Sequence, residues 1–174
     1  MPEPTAKNRI VVGVDGSEAS VAALRWAARQ SHAEHADVVA VHAWEPAGVA
    51  LAPYAPASAR PDAAEERRRA ARLLAGTLRE ALGPRMDGAV RAVVAEGPPA
   101  RVLLRYARDA QLLALGHTDH QQAGLPAIGA VARDCLRHAR VPVVTVPVPE
   151  RHASPPRPSD APPLAGRATR SGRA

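Results

Sequence analysis

The sequence contains no phenylalanine, and its other aromatic residues are two tryptophans and two tyrosines. Because 46% of the 174 residues are nevertheless apolar, we predict one domain whose core is built from aliphatic side chains. The single cysteine, Cys135, excludes an internal disulfide and a zinc site built from several cysteines. We predict that Cys135 is a small core residue.

Long apolar runs are also missing from the chain. No run reaches the roughly 18 residues that a membrane-spanning helix needs. The first ten residues, MPEPTAKNRI, lack the apolar core of a signal peptide. We therefore expect a cytoplasmic protein.

The net charge of +6 is concentrated at the C-terminal end of the sequence. Residues 151–174 contain five arginines and one aspartate, and they are rich in proline, serine and alanine. A segment with so few large apolar residues cannot bury enough surface to fold, so we predict a disordered tail over 150–174. Weak, nonspecific nucleic-acid binding through the arginines of this tail is an alternative function. The indication for it is weak, because the tail has no aromatic side chain to stack on a base.

Short apolar runs alternate with amphipathic stretches over the rest of the chain. The Val- and Leu-rich runs lack polar alternation, which is typical of parallel strands covered on both faces; they are 9–14, 37–44, 89–95, 111–116 and 141–148. Four helices are predicted between them, the first capped by Ser17, the second beginning with an Asp62–Glu65 capping box and ending at Gly83, and the third beginning at Pro99. This order predicts an α/β domain with an open parallel sheet and helices on both faces.

The fourth predicted helix has an apolar face at 3.6-residue spacing, which we expect to be buried; it consists of Ile128, Val131, Ala132, Cys135, Leu136 and Ala139. The domain is expected to span residues 8–149, after a flexible N-terminus over 1–7. The long connection 45–61 is predicted to be a flexible lid or partner-contacting loop.

In such a sheet, a ligand-binding site is expected beyond the carboxyl ends of the strands. The segments GVDGS (13–17), HAWEP (42–46) and the loop after residue 116 meet at that edge. Asp15 could accept hydrogen bonds from a ribose or an adenine edge, or could cap the following helix together with Ser17. The residues alone leave these two roles open.

Four blocks of the sequence resemble successive blocks of the universal stress protein family, in the same order and spacing over about residues 8–148. They are RIVVGVDGSEASVAALRWAA, VVAVHAW, AEGPPARVLLRYARDAQLLALG and IGAVARDCLRHARVPVVTVPV. The resemblance implies a five-stranded sheet of order 3-2-1-4-5, an ATP site and a homodimer formed through Val141–Val148. It also implies that His42 is structural.

The resemblance implies a nucleotide site at particular residues. The adenosine part would contact Gly13, Val14, Asp15 and Ala43. The family's phosphate loop, G-x2-G-x9-G-[S/T], would fall on Gly116, Asp119, Gly129 and Ala130, flanked by Leu115 and Val131. Asp119 stands where the motif has its second glycine, and Ala130 stands where the motif has a serine or threonine hydroxyl. We therefore expect ATP to bind weakly, and we expect Mg²⁺ to bind only together with ATP.

The sequence also carries features of two other kinds of site, a metal site and an enzyme active site. His117, Asp119 and His120 are potential metal ligands within four residues, but three ligands from one loop rarely complete a coordination sphere, so we predict no metal site. The sequence has no nucleophile elbow, no P-loop lysine motif and no paired carboxylates, so we predict no enzyme beyond slow ATP hydrolysis. The expected function is a stress-response regulator with a partly degenerate ATP pocket; the alternative is a nucleotide-independent interaction protein on the same fold.

Overall fold

The computed structural model describes residues 8–46, 62–83, 90–117, 121–122, 125–126 and 128–149. Its strands are β1 (Arg9–Gly13), β2 (Asp37–Trp44), β3 (Val90–Glu96), β4 (Leu112–His117), β5 (Gln121–Gln122), β6 (Leu125–Pro126) and β7 (Val143–Pro147). Its helices are α1 (Glu18–Glu34), α2 (Ala63–Leu82), α3 (Pro99–Ala107) and α4 (Ala130–His138). The predicted disordered tail, the flexible N-terminus and most of the predicted lid lie outside the described residues, so the domain boundaries stay a prediction.

Five of the strands form one parallel sheet in the order β3-β2-β1-β4-β7. This confirms the predicted α/β fold and the predicted 3-2-1-4-5 order. β1 lies at the centre of the sheet, where Val12 is opposite Ala40 on one side and Ala114 on the other. β5 and β6 form a separate antiparallel pair that the sequence did not predict, because two-residue strands carry no periodicity.

The core has two layers, one on each face of the sheet, and both are aliphatic as predicted. Alternate residues of β1 separate into the two layers, with Ile10 and Val12 on the face covered by α1 and α2 and Val11 on the face covered by α3 and α4. All three side chains are completely buried. Burial of each is worth roughly 1.5–3 kcal/mol, which explains why the strand reads as an unbroken apolar run.

The helix boundaries follow their predicted caps, with one correction. The Ser17 side chain accepts a hydrogen bond from the Ser20 N–H at 3.1 Å, and the Asp62 side chain accepts one from the Ala64 N–H at 3.0 Å. The predicted capping box at Asp62 is nevertheless only half formed. The Glu65 carboxylate, which should reach back to residue 62, accepts hydrogen bonds from Arg68 and Arg72 instead, because the guanidinium groups are stronger donors for a carboxylate than a backbone N–H.

The fourth helix is buried along a narrower face than its sequence predicts. Ala132 and Cys135 are buried, but Ile128, Val131 and Leu136 are 36–45% exposed. The prediction was wrong for these three residues. Ile128 precedes α4, which begins at Ala130, and Val131 and Leu136 lie on a part of α4 that the described neighbours, chiefly α3 and β7, leave uncovered. Cys135 is the core residue that we predicted, and burial, followed by the neighbouring Asp134 charge, raises the pKa of its thiol to about 11. No helix in the described ranges is long and apolar enough to cross a membrane.

Candidate functional site

The strand order creates an opening at the carboxyl edge of the sheet. The chain leaves β1 toward β2 on one side, whereas β4 lies on the other side, so the helices that follow β1 and β4 diverge. A cavity of about 350 Å³ lies there, at the small end of the range typical of small-molecule sites. It is bounded by the ends of β1, β2 and β4 and by the first turns of α1, α3 and α4.

This cavity brings together most of the residues that the sequence singled out. Nine of the ten predicted contact residues line it: Gly13, Val14, Asp15, Ala43, Leu115, Gly116, Gly129, Ala130 and Val131. The tenth, Asp119, lies outside the described residues, as does His120. Their contact with a ligand stays a prediction.

The cavity wall also contains residues that were not predicted to contact a nucleotide. They are Ser17, Ala19, Ser20, Val41, Pro99, Leu103, His117 and Ala132. Pro99 and Leu103 could have been predicted, because they lie in the first two turns of a helix that starts at the same edge of the sheet as the predicted loops. Ser17 belongs to the GVDGS segment that was expected at this edge, and Val41 and His117 lie on β2 and β4. Ala19, Ser20 and Ala132 face the cavity because of helix packing, which has no local signature.

Asp15 forms a compact turn with Ser17 at the mouth of the cavity. The Oδ1 atom of Asp15 accepts hydrogen bonds from the Ser17 N–H at 3.0 Å and from the Ser17 hydroxyl at 2.6 Å. Partial loss of hydration is the largest single influence and would raise the pKa of Asp15, but the hydrogen bonds from Ser17 and Ser20 together outweigh it and lower that pKa. Asp15 is therefore ionised at neutral pH, and a carboxylate with two bonds on Oδ1 retains acceptor capacity on Oδ2.

His42 holds the end of β1 against β2. Its Nδ1 atom lies 2.7 Å from the carbonyl oxygen of Val14, so Nδ1 carries the proton and donates it. The Val14 N–H in turn donates to the carbonyl oxygen of Val41 at 2.9 Å. These two bonds fix the backbone just before Asp15, which agrees with the structural role expected for His42.

The two glycines that delimit the predicted phosphate loop have different environments. A Cβ atom on Gly116 would lie 2.3 Å from the carbonyl carbon of Ala19 and 2.6 Å from the backbone nitrogen of Ser20. A Cβ atom on Gly129 would meet nothing within 4 Å. Gly116 therefore serves the close packing of α1 on β4, whereas a side chain at Gly129 would extend into open space.

The first turn of α4 borders the cavity with backbone N–H groups that have no partner within the helix. Gly129 is its N-cap and provides no side-chain hydrogen bond, and Gly129, Ala130 and Val131 are exposed. The first N–H groups of a helix have no partner within the helix, and the helix dipole places partial positive charge there. This end of the cavity is thus suited to an anion, although Ala130 offers no hydroxyl.

The described wall has few ionisable side chains. Asp15 and His117 are its only two, and neither lysine nor arginine lines it. An anion at this site would depend on backbone N–H groups rather than on a side-chain cation. No group of three metal-ligating side chains occurs among the residues that the structure describes, and two of the three that the sequence suggested lie outside them.

Comparison with known proteins agrees with this architecture. The chain is 33% identical over 151 residues to a universal stress protein of Mycobacterium tuberculosis, covering 84% of this chain and 46% of the relative. The chain therefore spans about half the length of the curated relatives that it matches.

Solved structures have the same fold. A universal stress protein from Archaeoglobus fulgidus superposes with a TM-score of 0.61 at 24% identity, covering 79% of this chain and 97% of that one. A universal stress protein from the same organism, solved in complex with dAMP, superposes with a TM-score of 0.58 at 23% identity, covering 79% and 96%. The sequence model of the universal stress protein family matches residues 7–147. The chain belongs to the universal stress protein family.

Proposed function

We propose that this protein is a stress-response regulator that binds an adenine nucleotide in the cavity at the carboxyl edge of the sheet. The observation that carries the proposal is that Asp15 and the first turn of α4 line the same cavity of about 350 Å³. A nucleoside phosphate requires a hydrogen-bond acceptor for its ribose hydroxyls and several hydrogen-bond donors for its phosphate. Asp15 and the first turn of α4 provide these two kinds of group. A family member of the same fold binds dAMP, which supports this choice of ligand.

In the proposed complex, the nucleoside lies against the ends of β1 and β2. The ionised Asp15 accepts hydrogen bonds from the ribose, and the adenine edge meets the backbone near Val14 and Ala43. The phosphates lie at the first turn of α4, where the N–H groups after Gly129 have no partner within the helix. The ligand would thus span the cavity from β1 to α4.

We propose that ATP binds weakly at this site. The described wall has no lysine or arginine to offset phosphate charge, and Asp119 adds a negative charge to the predicted phosphate loop. Two like charges at about 4 Å repel by roughly 1 kcal/mol in water and about 4 kcal/mol near a protein surface. Mg²⁺ would enter only with ATP, as a partial neutraliser of that repulsion.

Binding, rather than catalysis, is the proposed activity. Asp15 is the only carboxylate in the described wall, and its lowered pKa makes it a poor proton acceptor at neutral pH. Any hydrolysis of ATP would proceed without a dedicated base. The regulatory signal would then be the occupancy of the site, not the turnover of a substrate.

Calorimetric titration with ATP and Mg²⁺ tests the proposal on two proteins, the wild type and a double variant, Asp119→Gly with Ala130→Ser. The variant removes the negative charge and adds the missing hydroxyl, so we expect it to bind ATP about tenfold more tightly or better. Equal affinities would show that the two departures from the family pattern do not weaken ATP binding. Absence of heat in both proteins, with AMP and dAMP as well, would favour the nucleotide-independent interaction protein instead.

We also propose that the protein is a homodimer joined through Val141–Val148. β7 lies at an edge of the sheet, and the edge of a parallel sheet exposes unpaired backbone groups that a second strand can use. Pro142 and Pro147 restrict the number of bonds, because proline has no N–H to donate. Light scattering at micromolar concentration is expected to give twice the monomer mass of 18.2 kDa, and a monomer would contradict the proposal.

A further inference from the structure

A second and larger cavity, of about 690 Å³, follows α3. It is bounded by residues 96–98 before the helix, by one side of α3 itself, and by residues 138–141 at the end of α4. We refer to it as the α3 groove. It shares no lining residue with the candidate nucleotide cavity, so an occupant of one site would not have to contact the other.

The α3 groove is strongly cationic. Its charged or titratable lining residues are Arg101, Arg105, Arg108, Arg140, His138 and Glu96, all of them exposed. Glu96 is the only carboxylate among them. Within the described ranges, none of the four arginines has a salt-bridge partner, although the Arg105 guanidinium lies 5.4 Å from the centre of the Tyr106 ring.

Some exposed arginines elsewhere in the described structure do form salt bridges. On α2, Arg68 and Arg72 both pair with the carboxylate of Glu65, at 2.9 and 2.8 Å. α3 has no acidic residue in its sequence, PARVLLRYA, so it cannot pair its own arginines. Exposed guanidinium groups are often merely hydrated, but here several converge on one concave surface, which favours a shared anionic partner.

The floor of the α3 groove is apolar. Val102 and Ala107 are buried, and Leu104 and Val141 are partly buried against the core layer beneath. A purely anionic ligand would gain nothing from this floor. The surface therefore suits a ligand that presents apolar groups and anionic groups together.

We propose that the α3 groove binds a short, extended acidic segment of a partner protein, with carboxylates on the arginines and aliphatic side chains on the floor. Arg101 and Arg105 are four helical residues apart, or about 6 Å along the axis. Alternate residues of an extended chain are spaced by about 6.8 Å and point to the same side. A segment with acidic residues at alternate positions therefore repeats its carboxylates at about the arginine spacing.

Two other occupants fit the α3 groove less well. A nucleic-acid strand would gain from aromatic side chains that stack on its bases, and none lines the groove in the described structure. The C-terminal tail of this chain carries five arginines and one aspartate, so it has the same sign of charge as the groove. An acidic protein segment is the occupant that charge and floor both favour.

Fluorescence anisotropy with a labelled hexapeptide, Glu-Leu-Glu-Leu-Glu-Leu, tests the proposal on the full-length protein. The double variant Arg101→Gln with Arg105→Gln is expected to bind the peptide at least about tenfold more weakly than the wild type, as expected for lost charge-assisted hydrogen bonds. The matched control, Arg29→Gln with Arg69→Gln, removes the same charge from exposed positions on α1 and α2 and should remain within about twofold of the wild type.

Three results would overturn the proposal: no binding of the peptide to the wild type, equal losses in the two double variants, or equal binding of a peptide with glutamine in place of glutamate. Displacement of the peptide by random-sequence duplex DNA at lower concentration than by unlabelled peptide would assign the groove to a phosphate backbone instead. Thermal denaturation of each variant confirms that it folds. The single variant Arg108→Gln, at the end of the helix, should also bind the peptide more weakly than the wild type, with a smaller loss of affinity than the double variant.

Discussion

Replacement of Gly116 by alanine is expected to lower the free energy of unfolding by about 3 kcal/mol, the upper part of the range for overpacked cores. The added Cβ would lie 2.3 Å from the carbonyl carbon of Ala19 and 2.4 Å from its oxygen. These are backbone atoms in the first turn of α1, so relief requires the helix to move away from β4. Chemical denaturation followed by circular dichroism measures the change, which is a large part of the 5–15 kcal/mol typical of a domain.

Two other glycine-to-alanine variants serve as controls for Gly116→Ala. Gly129→Ala places its Cβ in open space at a φ of −58°, and should cost about 1 kcal/mol or less as a helix N-cap change. Gly76→Ala lies within α2 with nothing near its Cβ, and should stabilise the protein by about 0.5–1 kcal/mol. Similar stabilities for Gly116→Ala and Gly129→Ala would show that α1 is not closely packed on β4.

Replacement of Asp15 by asparagine is expected to weaken adenine-nucleotide binding by roughly 10- to 100-fold, the loss associated with a hydrogen bond to a charged group. Asparagine retains an oxygen that can accept from the Ser17 N–H, so the turn before α1 should survive. The stability loss should stay at about 0.3–1 kcal/mol, the contribution of a negative charge near a helix N-terminus. Calorimetric titration with the tightest-binding adenine nucleotide measures the effect, and unchanged affinity would mean that Asp15 only caps α1.

Ser17→Ala separates the capping role from the binding role. It removes the hydroxyl that donates to Asp15 at 2.6 Å and that accepts from the Ser20 N–H at 3.1 Å, so stability should fall by about 1 kcal/mol. Because the bond from the Ser17 hydroxyl helps to lower the pKa of Asp15, the contribution of that bond is complete above the ordinary aspartate pKa and is lost as pH falls through the lowered value. The cap from Ser17 to the Ser20 N–H does not titrate. The stability difference between wild type and variant should therefore shrink in acid, and a constant difference would contradict this assignment.

Much of the fold could be predicted from local sequence features because its main signals are local. The apolar runs that became β1, β2 and β4 are buried on both faces, so burial alone makes them recognisable. Ser17, Gly83 and Pro99 mark helix ends through their own backbone and hydrogen-bonding chemistry. The buried face of α4 was overestimated, because a helix at the edge of a sheet is covered on fewer sides than its apolar spacing indicates.

The candidate site was predictable only as a set of residues, and mainly through the family resemblance. Sequence spacing placed Gly116 and Gly129 in one motif, but it could not distinguish a glycine required by a neighbouring backbone from a glycine beside open space. That distinction depends on how α1 crosses β4, which involves contacts between residues about 100 positions apart. The α3 groove likewise depends on distant segments, since residues 96–98 and 138–141 meet around α3 only after folding.

By itself, the sequence determined the α/β class, the aliphatic core and the helix ends, because burial and capping act on residues close together in the chain. It also identified Asp15 as a possible hydrogen-bond acceptor and the start of α4 as the end of a possible phosphate loop. Only the tertiary structure decided that these features face one cavity and that four arginines, without a salt bridge in the described part of the chain, converge on another. The physical reason is that cavities arise from the crossing of distant elements, and a sequence records the chemistry of each side chain but not the distance between two of them.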